Sequence, residues 1–477
     1  MPQWVRDAFF YQIFPDRFRR HPSPDPQPLI PEVFEPWESP PTRRGFKGGN
    51  LWGVAEQLDY LEDLGVDALY LCPIFASTAN HRYHTTDYFV VDPLLGGELA
   101  FRHLLNEAHR RNIRLVLDGV FNHCGRSHFV FQHLVENGAA SPYQGWFFIK
   151  SFPVQAYQGT PNYAAWAGNR ELPKFNTDHP QVRAYLFRVA EYWIEQGIDG
   201  WRLDAPEQIE DHDFWREFRQ RVKAINPEAY LVGELWFDAQ PWLQGDQFDG
   251  VMNYPLARAI WGFVGGDTLD LELIARAGLR GVERLSAPEL AHALDDHVRR
   301  YGLATAQQQL NLLGSHDTPR LLTLLQGDAE RVELAFRLLF CLPGAPMVYY
   351  GDEIGLEGGP DPDCRRAFPW RPEAWNHHLL RALRQAAQIR RAHPALRLGD
   401  YETLYAQGDR LAFVRTLGEE RLLVSVNAGE NSWQLQLPYP QEGELTELSG
   451  AASGSSTGGL LHTPPQPPRS LRIYRLP

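Results

Sequence analysis

Eight short apolar runs, each separated from the next by a stretch of helical periodicity, leave few architectures open to this chain. They are AFFYQIF (8–14), ALYLCPIF (68–75), IRLVLDGVF (113–121), IDGWRLD (198–204), YLVGELW (230–236), FDGVMNY (248–254), QLNLLGSHD (309–317) and APMVYYGDE (345–353). Each is rich in β-branched or aromatic residues and short enough for a buried strand. Between them, LWGVAEQLDYLEDLG puts Leu51, Val54, Leu58, Leu61 and Leu64 on one face of a helix over 51–65. FRHLLNEAHRRN, VRAYLFRVAEYWIEQG, FWREFRQRVKAI and ERVELAFRLLFCL carry the same spacing. Eight strands alternating with helices predict an α/β fold, a (β/α)8 TIM barrel.

Two stretches interrupt the alternation. About 75 residues separate the third run from the fourth, and only 179–196 reads as helix. The rest is rich in Gly, Pro, Asn and aromatics and too long for an ordinary βα loop, so 123–176 is expected to be a small inserted domain after strand three. A second insertion lies around 266–300. After Pro394 the pattern changes to alternating runs such as RLAFVRTL, RLLVSVNA, SWQLQLP and SLRIYRLP, which predict an antiparallel β-sandwich. The expected division is a barrel from 1–122 and 177–394, the insertion 123–176, and a C-terminal domain 395–477, with AASGSSTGGLLHTPPQPP as a loop within the last.

Composition narrows the partners. With 477 residues, 43% of them hydrophobic, the chain can bury a large core and build more than one domain. A net charge of -13 repels phosphate backbones, so nucleic acid is not an expected partner and a neutral sugar fits better. The 14 Trp mostly reflect an aromatic core, although flat rings also suit the apolar faces of pyranoses. Cys72, Cys124, Cys341 and Cys364 are far apart and show no zinc-like spacing, which argues against a disulfide framework. The N-terminus lacks a signal-peptide h-region and no run could span a bilayer, so a cytoplasmic location without a membrane partner is expected.

In a barrel the C-terminal strand ends build the active site. Here the third run ends in Asp118 through Asn122-His123, the fourth in Arg202-Leu203-Asp204, the fifth in Glu234-Leu235-Trp236 and the seventh in His316-Asp317. One strand-end carboxylate often just caps a helix or pairs with Arg. Three that converge on one mouth suit glycosidic cleavage: one must be ionised to meet a cationic anomeric carbon, and another must hold a proton for the leaving oxygen. Arg202 and Asp204 are two residues apart on one strand, so they share a face and Arg202 can hold Asp204 anionic. A buried Arg–Asp pair that only stabilises the barrel is the competing reading.

At these residues the sequence resembles the α-amylase family, glycoside hydrolase family 13. DGVFNH (118–123), GWRLDAPE (200–207), GELW (233–236) and LGSHDTPR (313–320) resemble its first four sequence blocks. LPKFN (172–176), GVDALYLCPIF and GAPMVYYGDEIGL resemble the fifth, sixth and seventh. LPKFN, SxxNHRYHTTDYF (77–89) and GGPDPDCRR (358–366) are most similar to neopullulanases, cyclomaltodextrinases and maltogenic amylases. The resemblance implies a retaining hydrolase of α-glucans or maltooligosaccharides, with Asp204 as nucleophile, Glu234 as acid/base and Asp317 as a third essential carboxylate. It also implies a sugar-binding set of Tyr83, stacked on the sugar at the cleavage site, His123 and His316 on its hydroxyls, Asp361 and Arg365 on the next sugar toward the non-reducing end, with Arg202 and Trp236.

The sequence departs from those relatives in four places. The β-domain that precedes the barrel in many of them has no counterpart, since strand one begins near residue 8, and this leaves oligomeric state and cyclodextrin preference open. DAPEQIEDHDF stands where they often have an ANE-like block, and His84 where they often have Asp. The segment RRHPSPDPQP after PDRF lacks the Asn/Asp cluster of a calcium loop, so neither calcium nor any other cofactor is predicted. A predominant glucan transferase uses the same double displacement and differs only in its acceptor. A non-catalytic transporter subunit or sugar-binding scaffold would not need all three carboxylates.

Overall fold

The computed structural model describes residues 1–22, 24, 33–450 and 453–477. Half of the segment expected to lack a calcium loop, residue 23 and residues 25–28, lies outside the described residues. All eight runs form strands: β1 (Phe10–Ile13), β2 (Ala68–Leu71), β3 (Arg114–Gly119), β4 (Gly200–Leu203), β5 (Tyr230–Gly233), β6 (Gly250–Val251), β7 (Leu310–Leu312) and β8 (Ala345–Tyr349). They pair in parallel in the order β6-β5-β4-β3-β2-β1-β8-β7, and a parallel bridge from Met252 to Leu310 closes the ring. Side chains on both faces of the barrel strands are buried, which is why each strand reads as a continuous apolar run rather than an alternating one.

The strands are shorter than the runs. β7 stops at Leu312, and Ser315-His316-Asp317 forms a turn in which Thr318 Oγ1 accepts from Ser315 N–H at 2.9 Å and Ser315 Oγ accepts from Asp317 N–H at 3.2 Å. The single helix expected over 51–65 is two, Leu51–Glu56 and Leu58–Leu64, broken at Gln57. The 266–300 region holds the helices Leu271–Arg276 and Ala287–Tyr301. Among the described residues no helix is long and apolar enough to cross a membrane.

Between β3 and the helix Pro180–Glu195, the chain forms the helix Phe129–Asn137 and irregular segments tied by the bridges His123–Lys174, Phe147–Phe175, Ile149–Tyr163 and Ala165–Pro173. The first bridge joins the two ends of this excursion, so its loops hang over the mouth of the barrel. The C-terminal region has strands β9 (Asp400–Gln407), β10 (Arg410–Leu417), β11 (Glu420–Asn427), β12 (Gln436–Pro438), β13 (Gly443–Glu447), β14 (Gly454–Thr457), β15 (Leu460–His462) and β16 (Ser470–Arg475). β13 pairs with β16 at one end and β14 at the other, and so turns the corner between the two halves of the sandwich. Alternate residues divide its burial: Phe413, Val424 and Ile473 join the barrel core, whereas Val414, Leu423 and Tyr474 pack on Trp433, Leu445 and Leu461. The stretch expected to be a loop contains the hairpin β14–β15. Gly458 and Gly459, at φ 60° and 80°, supply the left-handed pair that a two-residue turn requires.

Beneath β8, Glu353 is fully buried and accepts from Tyr11 Oη at 2.6 Å and Tyr60 Oη at 2.8 Å, both on Oε1. Burial pushes its carboxyl up to about 7, more than the two hydroxyls pull it down. The native state therefore keeps a proton that the unfolded chain releases near 4.5, and stability falls as pH rises through that window. At ~1.4 kcal/mol per pH unit the loss is about 3 kcal/mol. Glu353→Gln has no such proton to lose. The expected result in urea melts is a smaller fall in stability between pH 5 and 7.5 than native protein shows; parallel curves would reject it.

Candidate active site

Asp204 and Glu234 each follow the last residue of a strand, β4 and β5, and meet over a guanidinium supplied by β4 itself. Arg202 is fully buried. Its Nη1 donates to Asp118 Oδ1 at 2.9 Å and Asp204 Oδ1 at 3.1 Å, and its Nη2 lies 3.0 Å from Glu234 Oε1. Asp118, on β3, also accepts from Tyr70 Oη at 2.6 Å and Tyr83 Oη at 2.8 Å. One cation thus serves three carboxylates from three strands. Ala205 adds a contact that its backbone strains to make. At φ 39°, ψ 51° it occupies the left-handed region, and its N–H donates to Glu234 Oε2 at 3.1 Å.

This arrangement fixes the proton balance. The side chains of Asp204 and Glu234 are 12% and 9% exposed, so both are largely cut off from water. Burial raises Asp204 well above the usual carboxylate range; Arg202 opposes this, while Glu234, Asp118 and Asp317 add to it. Burial raises Glu234 to about 7, again against Arg202. The expectation that Arg202 keeps Asp204 anionic names one side of this balance, because the guanidinium is divided among three partners. The pair titrates together and retains a proton near neutrality.

Asp317 sits across the mouth with its own counter-ion. Its Oδ1 accepts from Arg365 Nη2 at 3.1 Å, and Arg365 Nη1 pairs with Asp361 at 3.0 Å. At 33% exposure the Asp317 side chain is far more open than the other two. His316 links the groups. Gln12 Nε2 contacts its Nδ1 at 2.9 Å, which leaves the ring proton on Nε2, 2.7 Å from Tyr83 Oη and 3.1 Å from Asp317 Oδ2. The His316 and Tyr83 rings lie parallel within 9°. His123 accepts at Nδ1 from Asn122 at 3.2 Å, and among the described residues its Nε2 has no partner. Burial lowers it to about 3, so it is a neutral donor.

Asp204, Glu234, Asp317, Tyr83, His123, Trp236, His316, Asp361 and Arg365 all line one cleft of about 970 Å³, with Arg202 beneath it. Trp236 is less free than a sugar platform would be: Tyr254 covers one face at 3.5 Å and 10°, and its Nε1 donates to Glu234 Oε1 at 3.2 Å. Several further lining groups lie in irregular segments that carry no periodic signal. Trp166, 37% exposed and 5.7 Å from His123, Asn169 and Glu171 come from the insertion, and Thr42 to Arg44 from the first long loop. Among the described residues no group of three or more His, Cys, Asp or Glu could hold a metal ion.

The sequence matches two family models: alpha amylase, catalytic domain, over residues 12–379, and neopullulanase-like, C-terminal domain, over residues 401–475. The chain is similar to the crystal structure of Ttha1563 from Thermus thermophilus, with 54% identity, a TM-score of 0.96 and 99% of each chain covered. It is similar to the native debranching enzyme of Nostoc punctiforme, with 47% identity and a TM-score of 0.90 over 100% of this chain and 99% of that one. A cyclomaltodextrinase from Geobacillus thermopakistaniensis is 44% identical over 93% of this chain and 72% of its own length. With its strand-end carboxylates gathered in one cleft and both models matched in order, the chain belongs to the α-amylase family of glycoside hydrolases.

Proposed function

We propose that this enzyme hydrolyses α-glucosidic bonds, mainly α-1,4, in maltooligosaccharides, cyclodextrins or starch-derived chains by double displacement. The observation that carries the reading is the pair Asp204 and Glu234 on the two nitrogens of one buried guanidinium, with a resident proton. In retaining enzymes the two carboxyl groups stand ~5–5.5 Å apart. Asp204 attacks C1 while Glu234 gives its proton to the departing oxygen, breaking the C1–O bond and leaving a β-glycosyl ester. Glu234, now a carboxylate, takes a proton from water, whose oxygen attacks C1 and frees Asp204. Asp317, held by Arg365, binds hydroxyls of the distorted cationic sugar. Tyr83, His123 and His316 surround that sugar, and Asp361 with Arg365 hold the next one. A sugar hydroxyl in place of water gives transglycosylation. The four buried free cysteines fit a reducing, cytoplasmic setting.

A second reading, cleavage of α-1,6 bonds, is favoured by the full-length similarity to the Nostoc punctiforme debranching enzyme. A product time course on maltoheptaose, β-cyclodextrin, pullulan and sucrose, with a labelled acceptor and early anomers followed by NMR, tests both. Cleavage of the α-glucans with early release of the α-anomer is expected, and sucrose should remain intact. Early β-anomer or turnover of sucrose would overturn the main reading. Products cut at the α-1,6 bonds of pullulan in preference to maltoheptaose would establish the second.

A further inference from the structure

The indole of Trp236 packs against two residues that lie outside the cleft lining. Tyr254 stacks on one face and Arg258 stands 5.6 Å from the ring centroid. Both belong to the helix Tyr254–Gly265, four residues apart and so on one side of it. Tyr254 is itself fixed: its Oη donates to Ser315 Oγ at 3.0 Å, the atom that accepts the Asp317 N–H. The ring that reaches Glu234 is therefore locked to the turn that carries Asp317.

The donors around Glu234 are unevenly shared. Oε1 receives the Trp236 N–H at 3.2 Å and lies 3.0 Å from Arg202 Nη2, whereas among the described residues Oε2 meets only the Ala205 N–H at 3.1 Å. Each oxygen accepts one hydrogen bond, but a proton on Oε1 would also face the Arg202 cation at 3.0 Å, which Oε2 does not. We propose that Trp236 is a positioning residue for Glu234, its clamped N–H holding Oε1 so that Oε2 is the atom that gives and takes the proton. This rests on Glu234 being the acid/base of the proposed function.

A donor on a carboxylate oxygen favours the ionised form. The other groups facing Glu234 are Arg202, which acts in the same direction, and Asp204, Asp118, Asp317 and Tyr254, none of which Trp236 replaces. Removing the N–H alone therefore raises the pH at which Glu234 loses its proton. Trp236→Phe keeps a flat ring against Tyr254 and lacks the donor.

The test measures kcat/KM of the full chain against pH on maltoheptaose. The alkaline limb of Trp236→Phe should lie about one pH unit above that of native enzyme. Trp236→Leu, which also lacks the donor, should move the limb the same way and serves if the Phe variant does not fold. On α-glucosyl fluoride, whose fluoride departs with little need of a proton, the Phe variant should lose proportionally less kcat/KM than it loses on maltoheptaose. A raised KM on both substrates with an unmoved limb would overturn the proposal and leave Trp236 as a sugar contact. Glu234→Gln, assayed alongside, separates the two ideas. If it retains native turnover of maltoheptaose, the acid/base assignment fails; if it is inactive while the Trp236→Phe limb stays in place, only the positioning role fails.

Discussion

Glu234→Gln should lower turnover of maltooligosaccharides by about 10²–10⁴-fold, the usual worth of general acid/base assistance, while maltoheptaose still binds. The amide fills the same space at the end of β5 but has no proton to give the leaving oxygen. The loss should depend on the leaving group. With α-glucosyl fluoride the first step needs little protonation and should stay fast, while the second still lacks a base to activate water. The glycosyl-enzyme should then accumulate, giving a burst of fluoride followed by a slow steady state, and azide, which needs no base, should accelerate that slow phase. Calorimetric titration of the variant checks binding, and the stopped-flow burst checks which step has failed. Near-native turnover of maltoheptaose would remove Glu234 from the role. The native pH profile carries the same signature from the other side: with its carboxyl at about 7, activity falls as pH rises through that value and the transferable proton is lost.

How much of this was legible before any coordinates depended on whether one stretch of chain contained the whole physical cause. The barrel strands were legible because each is buried on both faces, so its apolar run is complete in itself. The hairpin Gly454–Thr457 with Leu460–His462 was not, since its strands are only four and three residues long, its first strand is small and polar, and the surrounding Gly and Pro read as a loop. The three carboxylates announced themselves by position at the ends of apolar runs. Their protonation did not. It depends on Asp118, Arg202 and Glu234 arriving from adjacent strands at one point, which makes a single guanidinium answer to three acids. Trp166 and Arg43 line the cleft from irregular segments, where no periodicity separates a wall residue from any other loop residue. Trp236, expected among the sugar-binding residues, does line the cleft. Its spacing placed it at the site, but the ring that covers it, Tyr254, comes from the helix after β6.

Asp204→Asn should abolish the covalent glycosyl-enzyme and reduce turnover on the order of 10⁴- to 10⁶-fold, the scale on which nucleophilic residues act. Asp204 and Asp317 both contact a guanidinium, so an adjacent cation does not decide between them as nucleophile. Their surroundings do. Asp204 shares its guanidinium with Glu234, and the next residue, Ala205, is held in a strained left-handed conformation that ties it to Glu234 Oε2. The attacking oxygen and the proton donor are thereby fixed to one another. Asp317 shares its guanidinium with Asp361 instead, is 33% exposed, and faces His316, an arrangement suited to gripping sugar hydroxyls. Trapping with a 5-fluoroglycosyl fluoride and mapping the labelled peptide should place the label on the segment containing Asp204. A label on the segment containing Asp317 would reverse the assignment. Asp204→Gly offers an independent check, because azide can enter the space left by the side chain and attack C1 directly. The product should be the β-glycosyl azide, formed by a single inversion, and an α-azide would mean that another nucleophile had acted first. The Asn variant should also be at least as thermostable as native enzyme, because it replaces a desolvated carboxylate that burial and neighbouring acids disfavour. A clear fall in its melting temperature would mean that lost activity reports damage to the barrel rather than loss of the attacking oxygen.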